Sequence, residues 1–253
     1  MNTPINSLAY SALENDVLEK QRETFVASLS HDLKNPTIAQ IRAIELILKG
    51  KFGQILPEQR EIMEMLLDSC KYMNAMLCSI LTTYRCEKGK IELKIEKATI
   101  RDLAEECVNE MIFLAKEKGI NIIFKNMAED TLWVDIVQLR RVIMNLLSNS
   151  IKYGYPHTEL KVKTYNEGKY TCFQLENRSP YLTPEKQEKI FAKYISFSKT
   201  HSGVGLGLYA SKKIVEAHEG TMFVQSFQDE RNIFGFKIPK DSHYKNVKRY
   251  VTF

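Results

Sequence analysis

Three groups of residues in this chain have the types and spacing to do chemistry. The first is Ser30-His31-Asp32-Leu33-Lys34-Asn35-Pro36, which sets an imidazole beside a carboxylate within an apolar-periodic stretch. On a helix Asn35 lies four positions beyond His31, so the two side chains share a face. A nucleophilic histidine needs one free ring nitrogen, with the other held by an acceptor that fixes the tautomer and supports the developing positive charge. Asp32 can be that acceptor, and such a surface suits phosphoryl chemistry; read alone, it is equally a solvated helix face. The second group is Asn145 and Asn149, also four apart, followed by Lys152. Amide oxygens facing a cleft can hold a hard cation such as Mg²⁺ when phosphates and waters complete its shell, and Lys152 could contact a phosphate. Two asparagines satisfying buried backbone would look the same. The third group, Gly203-Val204-Gly205-Leu206-Gly207-Leu208, runs directly into a helical pattern. Glycines let backbone amides approach a phosphate, and the helix start adds its positive dipole end, although a glycine-rich turn alone is weak evidence.

The elements that must position these groups can be read from periodicity. Leu13, Val17, Phe25, Leu29, Leu33, Ile41, Ile44 and Leu48 recur at helical spacings, which predicts one long amphipathic helix from about Tyr10 to Leu48, bent at Pro36. The turn at Gly50 to Pro57 precedes a second stripe, Ile62, Met65, Leu66, Met73, Met76, Leu77, Ile80 and Tyr84. Two such helices joined by a short loop predict an antiparallel hairpin whose apolar seam is wide enough to pair into a four-helix bundle. Beyond about residue 88 the period shortens. Ile91, Leu93 and Ile95 alternate with charged residues as in a half-buried strand, and Thr99 is placed to cap a helix reaching Lys118. Strands over 120–124 and 132–134, a helix over 135–153, strands over 160–165 and 170–176, a loop over 178–202, a helix over 205–219 and closing strands over 221–227 and 232–238 follow. The fold expected is α+β: a helical hairpin over residues 1–88, then an α/β sandwich over residues 89–253 with a mixed sheet and helices on one face.

Composition narrows the function classes. The chain has 253 residues, 44% hydrophobic and 26% charged, which is globular and long enough for two domains. A net charge of +5 with basic residues scattered among the acids gives no case for nucleic-acid binding; only Lys245 to Arg249 is locally basic. Cys70, Cys78, Cys86, Cys107 and Cys172 form no C-x-x-C pair and have no histidine at ligand spacing, so they read as reduced cysteines rather than a zinc site or disulfide frame. No apolar run long enough to span a bilayer is present, nor the pattern of a signal peptide, so a cytoplasmic location is expected.

Taken together, the three groups resemble the sensor histidine kinases of two-component signalling. His31-Asp32-x-x-Asn35-Pro36 looks like their phosphoacceptor box. Asn145 to Tyr153, with Asn149 and Lys152, looks like the asparagine box of their GHKL-type ATP-binding domain; Phe191 and Phe197 fall at the aromatic box and lid. Gly203, Gly205, Leu206, Gly207 and Leu208, continuing to Gly220, look like the second glycine box. The likeness covers about residues 15 to 239 in the family's order and spacing. One element departs. Where the family carries Asp-x-Gly-x-Gly fourteen residues before its aromatic-box phenylalanine, this chain has Asn177-Arg178-Ser179-Pro180-Tyr181. Asn177 keeps a carbonyl acceptor for adenine, but both glycines are replaced.

The resemblance implies an ATP-dependent protein-histidine kinase acting as a homodimer. ATP and Mg²⁺ would be the cofactors, with Asn149 and Asn145 at the metal, and Lys152, Tyr153, Asn177 and the glycine box around the nucleotide. His31 would be phosphorylated with help from Asp32, the phosphoryl group passing to an aspartate of a response-regulator receiver domain. Asn35 could orient a water for dephosphorylation of that receiver. The alternative is a degenerate kinase serving as a dimeric phosphotransfer or scaffold protein with little ATP turnover. Too few residues precede the hairpin to form a sensor domain, so input is expected from a partner protein or from sequence beyond a fragment.

Overall fold

The computed structural model describes residues 28, 32–87, 91–195, 197, 205–241 and 249–251. His31, the start of the expected first helix, Gly203 and most of the basic stretch near the C-terminus lie outside them. The chain divides into two compact units, Met1–Thr82 and Thr83–Phe253.

In the first unit, α1 runs over residues 32–48 and continues through Pro36. The Thr37 hydroxyl donates to the Leu33 carbonyl at 2.8 Å, inside the turn that the proline interrupts. After a loop in which Gly50 and Gly53 take positive φ, α2 begins at Pro57 and extends to Glu87. Proline is tolerated there because the first helical amides need no partner within the helix. Cys70 on α2 makes a long 3.8 Å contact to the Gln40 amide oxygen on α1, and Arg60 donates to the Leu48 carbonyl at 3.4 Å. Ile62, Met65, Leu66 and Met73 on α2 are exposed within this single chain.

The second unit is built on a five-stranded sheet ordered β3-β5-β6-β8-β7. Its strands are β3 (Asn121–Asn126), β5 (Glu159–Glu167), β6 (Tyr170–Arg178), β7 (Thr221–Ser226) and β8 (Arg231–Pro239). The β3/β5 pair is parallel and the other pairs antiparallel, so the sheet is mixed, as expected. Three helices supply the apolar layer: α3 (Ile100–Glu117), α4 (Ile136–Tyr153) and α6 (Gly207–Ala217). On α3, Ile100, Leu103, Ala104, Cys107, Val108, Met111 and Ala115 are buried, which is one helical stripe. These meet Leu139, Val142, Ile143, Leu146 and Leu147 of α4 and the sheet residues Val162, Phe173, Leu175 and Phe236 in one core. Phe173 and Phe236 stack at 5.4 Å across the β6/β8 pair.

Caps decide where the helices start. Thr99 accepts from the Asp102 amide at 3.0 Å, as its position predicts, and Asp135 accepts from the Gln138 amide at 2.9 Å. Local expectations are corrected at several points. The strand expected over 91–95 is shorter, β1 (Ile91–Leu93), and pairs with β9 (Arg249–Val251), which periodicity missed; a further strand beyond it, β2 (Glu96–Thr99), pairs with β4 (Thr131–Val134). The chain breaks between them because the Lys94 amide turns to the Asp135 carboxylate at 2.8 Å. The loop expected over 178–202 contains a short helix, α5 (Pro184–Lys189), and the last helix starts at Gly207 rather than Gly205, whose φ of +69° lies outside the helical range. Among the described residues, no helix is long and apolar enough to cross a membrane.

Candidate functional site

The site is built on α4. Its buried stripe faces the core, and that rotation leaves Asn145, Asn149 and Lys152 half-buried along one flank. Asn145 is committed within the fold. Its amide nitrogen donates to the Ser211 hydroxyl on α6 at 2.9 Å, and a side chain at Gly207 would come within 2.7 Å of its oxygen. Asn149 lies one turn further along, its amide without such a partner among the described residues. Partial burial lowers the Lys152 pKa, and its ammonium rests 5.4 Å from the Tyr153 ring.

The α6 helix starts opposite this flank without a side-chain cap at Leu206, so its first amides keep their donor capacity. The two described glycines of this segment serve close approach. Gly205 packs where a Cβ would meet the Tyr194–Ile195 backbone at 2.5 Å, and Gly207 admits Asn145. Leu206 is buried and Leu208 packs on the core, anchoring the helix start. Gly207→Val is therefore expected to force Asn145 out of place and to destabilise this unit by about 1–3 kcal/mol, measurable as a lowered denaturant midpoint with unchanged slope.

The C-terminal end of α4 meets the end of β6. Asn177 is 6% exposed and donates to the Ser150 carbonyl at 3.2 Å, but its carbonyl oxygen is buried without a partner. Leaving such an acceptor unpaired costs about 1–3 kcal/mol, so the group fits a ligand that brings a donor. The departure from the family's glycines is visible next to it: Ser179 and Pro180 are held by Asn232 of β8, whose amide nitrogen lies 2.6 Å from the Ser179 hydroxyl and 3.0 and 3.1 Å from the two carbonyls. Asn232 has no periodic signal that would have marked it in the sequence. Of the aromatic residues expected near the site, Phe191 packs against the core, while Phe197 is exposed beneath the Lys186 ammonium.

A buried bridge fixes the N-terminus of α4. His218 is fully buried; its Nδ1 lies 2.7 Å from the Ile214 carbonyl, to which it donates, and its Nε2 accepts from the Asp135 amide at 3.0 Å. Burial lowers the His218 pKa, against the opposing pull of the Ile214 carbonyl and Asp135. A proton on Nε2 would replace an acceptor by a donor facing the Asp135 N–H. The unfolded chain, with an ordinary histidine pKa near about 6.5, then binds the extra proton first. Stability is expected to be full above that pH and to fall as pH drops below it, by up to about 1.4 kcal/mol per pH unit for this one group. Denaturant titrations between pH 7 and 5 check this, with the slope reduced in His218→Gln.

In the first unit, Asp32 and Asn35 are both exposed on α1, and the Ser28 hydroxyl donates to the Asp32 carboxylate at 3.3 Å. Among the described residues no cluster of three His, Cys, Asp or Glu side chains could hold a metal, so a hard cation here would rely on amide oxygens and its own phosphate ligands.

Comparison with known proteins fits this geometry. Residues 134–242 match the family model of histidine kinase-, DNA gyrase B- and HSP90-like ATPases. That segment holds α4, α6 and most of the sheet. Over its wider length the chain resembles sensor histidine kinases. It is 26% identical to the circadian input-output histidine kinase CikA of Synechococcus elongatus over 93% of this chain and 34% of that protein. It is also 26% identical to the sensor protein KdpD of Clostridium acetobutylicum over 88% of this chain and 25% of that one. The chain thus spans about a third or less of these two relatives. The fold is shared with full-length ShkA, solved with AMPPNP, at a TM-score of 0.69 and 22% identity over 85% of this chain and 45% of that one. The catalytic domain of the histidine kinase ThkA matches at 0.54 and 23%, over 58% of this chain and 97% of that one.

Proposed function

We propose that this chain is an ATP-dependent protein-histidine kinase whose residues 89–253 bind ATP and whose residues 1–88 form a dimerising hairpin that carries the phosphoacceptor His31. The observation that carries the reading is the uncapped start of α6 held against the asparagine flank of α4 by the Asn145–Ser211 bond. Backbone donors, a helix dipole and the Asn145 amide meet there, and Asn149 and Lys152 follow along the same flank of α4, the kinds of group that a triphosphate requires. The orphaned Asn177 oxygen at the far end of α4 fits the amino group of a purine.

In this reading Asn149 would hold Mg²⁺, with Asn145 behind it, and the ion would supply neutralisation of phosphate charge. Lys152 and the amides from Gly203 to Leu208 position the phosphate chain, and Tyr153 packs beside Lys152. His31 attacks the γ-phosphorus through one ring nitrogen while Asp32 accepts a hydrogen bond from the other; the N–P bond forms as the bond to the ADP oxygen breaks. Positioning and charge neutralisation provide most of the acceleration. The phosphoryl group then passes to an aspartate of a response-regulator receiver domain. Asn35, exposed on α1, would orient a water that dephosphorylates the receiver aspartate. Exposed Ile62, Met65, Leu66 and Met73 support a homodimer, since a second hairpin would cover them.

The test is incubation with Mg²⁺ and γ-labelled ATP. Acid-labile, alkali-stable label on the protein is the expected result. Nucleotide binding without label would favour the degenerate scaffold reading, and absence of binding would remove the ATP site altogether.

A further inference from the structure

The α6 helix is tied to α4 near its start and again at its end, and only the first tie belongs to the candidate site. Near the start, Gly207 admits the Asn145 side chain, whose amide nitrogen donates to the Ser211 hydroxyl at 2.9 Å. At the end, His218 Nε2 accepts from the backbone amide of Asp135, the N-cap of α4, at 3.0 Å. The two helices therefore run antiparallel. The second tie is a closed joint. His218 is fully buried, and its Nδ1 donates to the Ile214 carbonyl at 2.7 Å. The Asp135 carboxylate accepts from the Lys94 amide at 2.8 Å and from the Gln138 amide at 2.9 Å, so Asp135 is itself held from two sides. Leu93, at the end of β1, packs in the same place against Ala217, the residue before His218.

Contact with one residue cannot fix the direction of a helix. Gly207 and Ser211 both meet Asn145, about which α6 could swivel, and the apolar packing of Ile214 and Val215 on the core is non-directional. His218 lies seven residues beyond Ser211 in the chain, about 10 Å along the axis. Gly207 lies four residues to the other side, about 6 Å. A shift of about 1 Å at His218 would carry the first turn of α6 about 0.6 Å the other way, past the tolerance of about 0.5 Å within which binding groups must be held. We propose that His218 is a positioning residue for nucleotide binding: through the Asp135 amide it aims the first-turn amides of α6 at the phosphate chain from the far end of the helix. The proposal rests on the reading of the α4–α6 flank as a phosphate site.

The experiment titrates the Mg²⁺ complex of ATP calorimetrically into the unmodified chain and into variants at His218, reading affinity and stoichiometry separately. Glutamine can set its side-chain oxygen near the place of Nε2 and still accept from the Asp135 amide. Leucine offers no acceptor, and asparagine is too short to reach. His218→Asn and His218→Leu are expected to raise Kd about tenfold or more with the stoichiometry kept, and His218→Gln to stay within about threefold of the unmodified chain, since misplacing a binding group by about 1 Å can cost about 10²-fold. A histidine that only supports the fold would behave otherwise: its loss lowers the folded fraction, and so the stoichiometry, while the folded molecules keep their Kd. That outcome, or equal losses of affinity in all the variants, overturns the proposal. Should His218→Leu lack a native circular dichroism spectrum, His218→Asn read against His218→Gln decides alone, and an unchanged Kd in His218→Asn overturns the role of His218. Absence of binding by the unmodified chain removes the phosphate site itself and the proposal with it.

Discussion

A chain carrying His31→Gln is expected to bind nucleotide as the unmodified protein does and to take up no acid-labile label. Glutamine keeps a polar side chain of comparable length at the position, but its amide nitrogen has no lone pair available for attack on phosphorus. Removing the nucleophile of a covalent step removes the step, so the fall should reach background, about 10⁴-fold or more. Asp32 acts on the ring rather than on phosphorus, and Asp32→Asn should retain about 10⁻² to 10⁻⁴ of the rate, in the range of general acid–base contributions. The Ser28 hydroxyl donates to this carboxylate at 3.3 Å. Phosphoamino-acid analysis of both variants decides the matter. Undiminished label on His31→Gln would place the phosphoryl group elsewhere and sink the kinase reading in its present form.

The second large effect separates two residues that look equivalent in the sequence. Asn149→Ala is expected to lower the phosphorylation rate about 10²- to 10³-fold, the scale of several kcal/mol that metal charge neutralisation supplies. Raising Mg²⁺ should recover part of the loss, since the ion would still be held by the phosphates. Asn145→Ala should behave differently. Asn145 already bonds Ser211 and fills the space that Gly207 leaves, so its removal opens the α4–α6 contact and costs stability, about 1–2 kcal/mol. A Mg²⁺ titration of the rate and a denaturant melt, run on both variants, distinguish a metal ligand from a strut. Matching losses in rate with no loss of stability in either variant would assign both amides to the metal.

Much of this molecule was legible before any coordinates. The i, i+4 placing of Asn145 and Asn149 puts both on one helix flank whatever surrounds the helix, because 3.6 residues per turn is a property of the backbone. The cap at Thr99, the strand positions of the central sheet and the class of the second unit follow from equally local rules. Local rules failed where the deciding partner is distant. The break between β1 and β2 depends on the Asp135 carboxylate, 41 positions on from Lys94, and the setting of α4 depends on His218, 83 positions from Asp135. The commitment of Asn145 to Ser211, rather than to a ligand, spans 66 positions. Asn232 carries no signal of its own and acquires meaning only through the strand register that sets it opposite Asn177. The sequence by itself determined which groups share a helix face, since that periodicity is built into the chain. Tertiary structure alone decided which buried amides are satisfied and which are left unpaired, because hydrogen-bond satisfaction is settled by the packing of separate elements.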